Sequence, residues 1–216
     1  MKAHSFIYLI IYSCFIMSVS LQAQEHFADR YNVSYITMDD GLPHNFIDDI
    51  YKDTRGFLWI STAGGGLSRY DGYEFIHFNP NTPHSKLKSN FIHNVYEDRF
   101  HRLWIVSEGG TDIIDLSTLQ SVIPNDPKGL LPRFINHPTY IVILDSQGCI
   151  WLQCDNALHR ITFDAEGGID TLSTLDLPEQ DEPDLILKDI DEDGKIWTGI
   201  NGTIYKITPT PQGQLE

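Results

Sequence analysis

The chain has 216 residues, 41% of them hydrophobic and 12% aromatic, which is enough apolar material for a packed core and excludes a disordered segment. Its formal net charge is −15, from 30 acidic against 15 basic side chains scattered singly along the sequence. Such a surface repels nucleic acid and anionic headgroups, so no direct nucleic-acid binding is expected, and neutral sugars, cations and basic protein patches remain as partners.

Residues 1–23 differ from the rest. Lys2 precedes an uncharged apolar run from Phe6 to Val19, and Leu21-Gln22-Ala23 offers a small residue at a cleavage point before Gln24. This pattern predicts a secretory signal peptide and a mature chain over 24–216, exported to the periplasm. The apolar run is shorter than the ~20 residues that span a bilayer comfortably.

Tyr31 to Thr37 alternates as a strand and leads through Gly41-Leu42-Pro43-His44-Asn45 into Phe46. In register it is the fourth strand of a blade whose other three strands do not precede it. From there a single sentence repeats around the four tryptophans, Trp59, Trp104, Trp151 and Trp197, at intervals of 45, 47 and 46 residues. An apolar β-rich run ends at Asp, a turn follows, and a second β-rich run returns through Trp. Asp-x-x-Gly-x-Leu/Ile-Trp holds in three copies, with Gly56, Gly148 and Gly194 in the turn, while His101 takes the glycine's place in the second. The turn glycine supplies backbone freedom for an antiparallel hairpin. A polar loop, a third strand such as Leu67-Ser68-Arg69-Tyr70, a turn at Asp71-Gly72 and a fourth strand over 73–78 complete the unit.

Four antiparallel strands in ~45 residues have the dimensions of a β-propeller blade, and helical repeats of similar period do not suit segments this short and this rich in Ile, Val, Tyr, Phe and Trp. The predicted fold is therefore all-β, a propeller of about four four-stranded blades near 46–78, 91–123, 139–177 and 185–216, with 31–37 an orphan fourth strand. Two architectures follow: a strand at 31–37 that completes the last blade of a four-bladed ring, or part of a larger propeller. The second is favoured because four-bladed rings are the small extreme of the class. The tryptophans are expected in the core between blades. Cys149 and Cys154 lie about 16 Å apart along an extended strand and on opposite faces, too far for a bridge, and are expected as apolar fillers.

The stretches Asp40-Gly41-Leu42-Pro43-His44-Asn45-Phe46-Ile47, Asp53-Thr54-Arg55-Gly56-Phe57-Leu58-Trp59-Ile60-Ser61-Thr62 and Gly66-Leu67-Ser68-Arg69-Tyr70-Asp71-Gly72 resemble the two-component regulator propeller repeat. That repeat builds the periplasmic half of hybrid two-component sensors of gut Bacteroidetes. The resemblance covers about residues 31–207. It implies an ectodomain of two propellers and a β-sandwich ahead of a membrane helix, histidine kinase, receiver and DNA-binding domain. It also implies oligosaccharide ligands and transcription of polysaccharide-utilisation genes as the output. The remaining blades and the kinase of the receptor are then partners of this segment, and a homodimer is compatible with it. No kinase, receiver or DNA-binding motif occurs in the chain.

If the first strand of each blade is innermost, the loops leading into it share a face with the loops between the second and third strands. That face collects His44, Asn45, Asn90, Glu108, Asp155, Asn156 and Asn201, with Gly64 and Gly65 among them. Amides, carboxylates and close-approach glycines suit sugar hydroxyls; the competing reading is that loops are polar because water bathes them. Asp189-Ile190-Asp191-Glu192-Asp193-Gly194 begins like a calcium loop, but Ile200 stands where the twelfth-position Glu belongs, so an ordinary blade turn is expected. No histidine pair has metal spacing, and no nucleophile elbow, phosphate loop or His-Glu-x-x-His occurs, so neither a metal, a cofactor nor a catalytic residue is expected. The alternatives to a non-catalytic sensor are a secreted propeller enzyme, a lyase or glycosidase, and a protein-interaction scaffold.

Overall fold

The computed structural model describes residues 33–83, 86–154, 157–176, 186–191, 195–200 and 203–208. The expected signal peptide lies outside them. Residues 1–36 and 37–216 form separate units. In the first, Val33 to Ile36 belong to no strand. The expected strand over 31–37 is therefore absent among the described residues. Locally, a cap wins instead: the Thr37 hydroxyl accepts from the Asp39 amide, and the Asp40 carboxylate accepts from the Thr37 amide at 2.8 Å, opening a short 3₁₀ turn over Met38–Asp40. A strand is stabilised by a neighbouring ladder, whereas this turn satisfies its own backbone.

The second unit is built of antiparallel sheets in chain order. The first sheet has strands β1 (Ile47–Lys52), β2 (Leu58–Thr62), β3 (Gly66–Tyr70) and β4 (Phe75–Phe78). The second has β5 (Ile92–Glu97), β6 (Arg102–Ser107), β7 (Gly110–Asp115) and a two-residue β8 (Gln120–Ser121). The third has β9 (Thr139–Leu144), β10 (Ile150–Cys154), β11 (Ala157–Phe163) and β12 (Ile169–Asp176), and the fourth has β13 (Ile186–Ile190), β14 (Ile196–Ile200) and β15 (Thr203–Ile207). Sheet-to-sheet contacts run from β1 to β5, β5 to β9 and β9 to β13. The first strand of each blade is thus innermost, where the sheets of a propeller converge.

Each blade is locked by one aspartate. In the first, Asp53 Oδ1 accepts from the Arg55 and Phe57 amides at 3.0 and 2.9 Å, while Oδ2 accepts from Trp59 Nε1 at 2.8 Å. Asp98 does the same with Phe100, Arg102 and Trp104, and Asp145 with Gln147, Cys149 and Trp151. Asp191 holds the Lys195 amide and Trp197 Nε1, at 2.9 and 2.8 Å. One carboxylate therefore closes the hairpin turn and fixes the indole that packs onto the next sheet. Asp191 of the calcium-like segment is accordingly the lock of the fourth blade, while residues 192–194 lie outside the described residues.

The turn needs a left-handed residue. Gly56 and Gly148 supply it at φ 93° and 75°, and His101 adopts φ 57° in their place. A side chain there costs about 1 kcal/mol of backbone strain, and His101 recovers part of it through a 2.8 Å bond from its Nδ1 to Glu97. Glu97 is buried and also accepts from the Thr54 amide and hydroxyl of the preceding blade, each at 2.7 Å. Burial pushes its carboxyl up, but the bonds from Thr54 and His101 outweigh that and hold it below the usual glutamate value.

Between blades the indoles form the core. Trp59, Leu67 and Phe78 pack against Ile92, Val95, Leu103 and Ile105 of the second sheet, and Trp104 and Val106 pack against Val142, Ile150 and Leu152 of the third. The three tryptophans Trp59, Trp104 and Trp151 are fully buried, whereas Trp197 is 38% exposed. Cys149 and Cys154 are buried thiols, and burial pushes Cys149 up to about 11.

Replacing Trp104 or Trp59 with Ala empties a close-packed inter-blade site and also orphans its aspartate, so each should cost about 3–5 kcal/mol. Trp197→Ala, at a partly exposed indole, should cost less than half as much by chemical denaturation. Equal, small losses at all four positions would show that the tryptophan register is not the core.

Candidate functional site

The loops leading into the inner strands meet the loops between second and third strands, as the sheet order requires. The Ala63 amide donates to the Phe46 carbonyl at 3.1 Å, Gly66 donates to Asn90 at 3.0 Å, Glu108 donates to Phe91 at 3.4 Å and Thr111 donates to Ile135 at 3.1 Å. His44, Asn45, Asn90 and Glu108 therefore line one rim of the unit.

Their side chains differ in what they have left to offer. His44 Nδ1 accepts from the Phe46 amide at 3.0 Å, and Asn45 Oδ1 accepts from the Met38 amide at 3.1 Å. Both shape their own loop, and each retains one polar atom for another partner. Asn90 has a buried Oδ1 without a hydrogen-bond partner among the described residues, and Glu108 is exposed. Asp155, Asn156 and Asn201 lie outside the described residues.

The rim glycines serve packing. A Cβ on Gly66 would collide with the Phe78 carbonyl, and one on Gly110 with the Ile135 carbonyl; both residues also have positive φ, 81° and 115°. Gly65 is closed in by Thr62 and Pro43, and a Cβ on Gly64 would lie in ordinary contact with the Phe91 ring, at 3.6 Å. The expectation that Gly64 and Gly65 leave room for a ligand is thus replaced at Gly65 by close approach of the chain itself.

The inner strands carry a second polar row. In β1 the pairing slips between Ile47 and Asp49, in β5 between Ile92 and Asn94, and in β9 between Thr139 and Ile141, opposite Cys154 and Gln153. Asp48, His93 and Tyr140 are the extra residues of these three bulges, and each stands five residues before its locking aspartate. Bulges re-aim a side chain and break the ladder, and they recur beside functional sites. The His93 and Tyr140 rings lie 5.3 Å apart.

Next to the bulges, the inner strands are stitched together. Asn94 Oδ1 accepts from the Val142 amide and its Nδ2 donates to the Val142 carbonyl, both at 2.9 Å, and Asp49 accepts from the Val95 amide at 3.2 Å. Burial raises the Asp49 carboxyl above the usual aspartate value, against the hydrogen bonds from the Val95 and Ile50 amides.

His93 is the unusual member of the row. Its Nε2 is buried without a hydrogen-bond partner among the described residues. Burial lowers its pKa below the ordinary histidine value of 6.5, against the pull of the Glu108 and Asp48 charges. The row meets the rim where the Glu108 amide donates to the Phe91 carbonyl, two residues before His93. In the sequence His93 is marked only by its five-residue offset from Asp98, the offset that Asp48 and Tyr140 share with Asp53 and Asp145. No group of three or more His, Cys, Asp or Glu among the described residues has the geometry to hold a metal.

The two-component regulator propeller family matches residues 41–64 and 86–109, the lead-ins and first hairpins of the first two blades. The chain carries this repeat. No curated protein matches it by sequence. Among solved structures it is similar to the extracellular domain of a proposed hybrid two-component system of B. thetaiotaomicron, at 24% identity and TM-score 0.57, covering 81% of this chain and 24% of that one. A second such domain from the same organism aligns at 18% identity and TM-score 0.53 over 85% of this chain and 31% of that one. Virginiamycin B lyase from Staphylococcus aureus aligns at 17% identity and TM-score 0.53, over 79% and 54%. These likenesses establish the β-propeller fold, of which this chain spans about a quarter to a third of the length of the two extracellular domains. Among the described residues no helix is long and apolar enough to cross a membrane.

Because burial holds the folded pKa of His93 below its unfolded value, the folded chain takes up that proton less readily, and the fold loses stability as pH falls from about 6.5 towards the folded pKa. His93→Gln should remove that component, making the variant's melting temperature less sensitive to pH between neutral and mildly acidic conditions. An imidazole resonance of His93 titrating at or above the ordinary value would contradict the buried, uncharged ring.

Proposed function

We propose that the chain is part of the periplasmic sensor propeller of a hybrid two-component system, where it helps to bind an oligosaccharide and pass its presence to a kinase across the inner membrane. The observation that carries this reading is the family repeat falling on equivalent segments of two successive blades, which are the segments that build the rim. The similar extracellular domains of B. thetaiotaomicron support the same role, and their greater length fits a segment that works together with further blades. The rim chemistry suits such a ligand. Exposed His44, Asn45 and Glu108 present acceptors and donors to hydroxyls, and the bulge row adds an aromatic pair.

In this reading the rim is a binding surface and its residues have no turnover to perform. Binding would shift the population of receptor states by its differential affinity for them. The protein at its native length should bind a glycan reversibly by calorimetry and return it unchanged. Shortened or unsaturated products from a polysaccharide would instead favour an enzyme of the lyase kind, and no binding across a panel of neutral, acidic and amino glycans would remove the glycan reading.

A further inference from the structure

Two phenyl rings stand on the rim in equivalent places. Phe46 and Phe91 lie seven residues before their locking aspartates, Asp53 and Asp98, and each immediately precedes the inner strand of its blade. In both, the side chain two residues earlier holds the amide: His44 Nδ1 accepts from Phe46 and Ser89 Oγ accepts from Phe91, each at 3.0 Å. The backbone is thus tied down while the rings are left 62% and 50% exposed. Apolar side chains scattered singly over a surface need no explanation, but these two share one row.

Ile47 pairs with Thr62, which sets Phe46 opposite Ala63, and the Ala63 amide donates to the Phe46 carbonyl. Ala63 is bridged in turn to Phe91 in the antiparallel sense. Ile92 pairs with Ser107, which sets Phe91 opposite Glu108, whose amide donates to the Phe91 carbonyl. Residues directly opposite in antiparallel pairs share a face, so Phe46, Ala63, Phe91 and Glu108 form one row with their side chains on the same side. The two phenylalanine backbones are two strand spacings apart, roughly 10 Å. Ala63 puts only a methyl group between them, and the Phe91 ring lies over Gly64, where a Cβ would come within 3.6 Å of it. Glu108 ends the row as an exposed carboxylate whose side chain makes no hydrogen bond or ion pair among the described residues.

Ring, methyl, ring and carboxylate in succession do not make the continuous apolar core that a protein segment docks against. They do match a chain of sugars, because a pyranose lays its C–H face on a phenyl ring and a carboxylate accepts from neighbouring hydroxyls. We propose that Phe46 and Phe91 are stacking platforms for a neutral β-linked oligosaccharide, and that Glu108 accepts from hydroxyls of the sugar on Phe91. The inference rests on the glycan-binding reading and names its ligand class. Equatorial hydroxyls leave the ring faces of such a chain clear, and its extended linkage lets it reach both phenyl rings, which a single hexose does not span. An anionic sugar is disfavoured beside Glu108 on a chain of net charge −15.

Calorimetry on the native-length protein tests this with cellotetraose, β-1,4-galactotetraose, their monosaccharides and tetragalacturonate. At least one neutral tetrasaccharide should bind, its monosaccharide at least tenfold more weakly, and tetragalacturonate not at all. Phe46→Ala and Phe91→Ala should each weaken that tetrasaccharide by about tenfold, Glu108→Gln should weaken it as well, and Phe91→Tyr, which keeps the ring, should stay within twofold. Tyr73→Ala removes a ring that is 93% exposed at the turn between β3 and β4 and should change nothing. An unchanged melting temperature confirms the fold of each variant. Binding that both alanine variants leave intact, or binding of tetragalacturonate alone, overturns the platform while the glycan reading stands. Failure of both neutral tetrasaccharides also overturns it, and the wider glycan panel then decides the glycan reading separately. Self-association that Phe46→Ala abolishes, with no glycan bound, would assign the row to a protein contact instead.

Discussion

The architecture depends on one carboxylate per blade. A hairpin turn leaves backbone amides without partners, and a tryptophan between sheets leaves an indole N–H buried; an unpaired buried polar group of either kind costs about 1–3 kcal/mol. Asp53, Asp98, Asp145 and Asp191 serve both needs with their two oxygens. Because the indole and the turn share a residue, tertiary packing and local chain reversal are set together. In the second and third blades Arg102 and Arg160 add a guanidinium to the same carboxylate, at 2.7 and 3.3 Å, so that most of its hydrogen-bonding capacity is used.

This lock also fixes where polar chemistry can appear. With the aspartate held at one end of the inner strand, the residue five positions earlier falls at the other end. The ladder there slips by one residue, and the strand is released from strict alternation. Asp48, His93 and Tyr140 occupy that place in successive blades. Their neighbours Asp49 and Asn94 face the adjoining inner strand and bond its backbone, which keeps the row in a fixed frame. A rigid frame presenting variable side chains is how repeat folds accommodate different ligands.

The blade pattern was legible in the sequence because it is written in spacing: four tryptophans, four aspartates six residues before them, and a turn residue between. His101 breaks the glycine rule in the sequence and obeys it in the backbone, since the bond to Glu97 helps to hold a left-handed histidine. The rim was legible as a place through strand order, with His44, Asn45, Asn90 and Glu108 on it. The duties of its members were not. Asn45 and His44 bond their own loops, and Gly65 and Gly66 admit neighbouring chain, because a loop's own backbone needs partners before any ligand arrives. The bulge row was not legible, since a one-residue slip leaves no mark in hydrophobic alternation. The strand expected at 31–37 failed where described because alternation signals compatibility with a sheet, and the Thr37 cap offered a nearer set of partners.

Hydrogen exchange of the four indole N–H groups tests the aspartate lock most directly. Trp59, Trp104 and Trp151 should exchange only through unfolding of their blades, with protection lost selectively when Asp53, Asp98 or Asp145 is replaced by Ala, while the half-exposed Trp197 exchanges faster. Four indoles exchanging at a common, unprotected rate would show that the carboxylates do not hold the blades together.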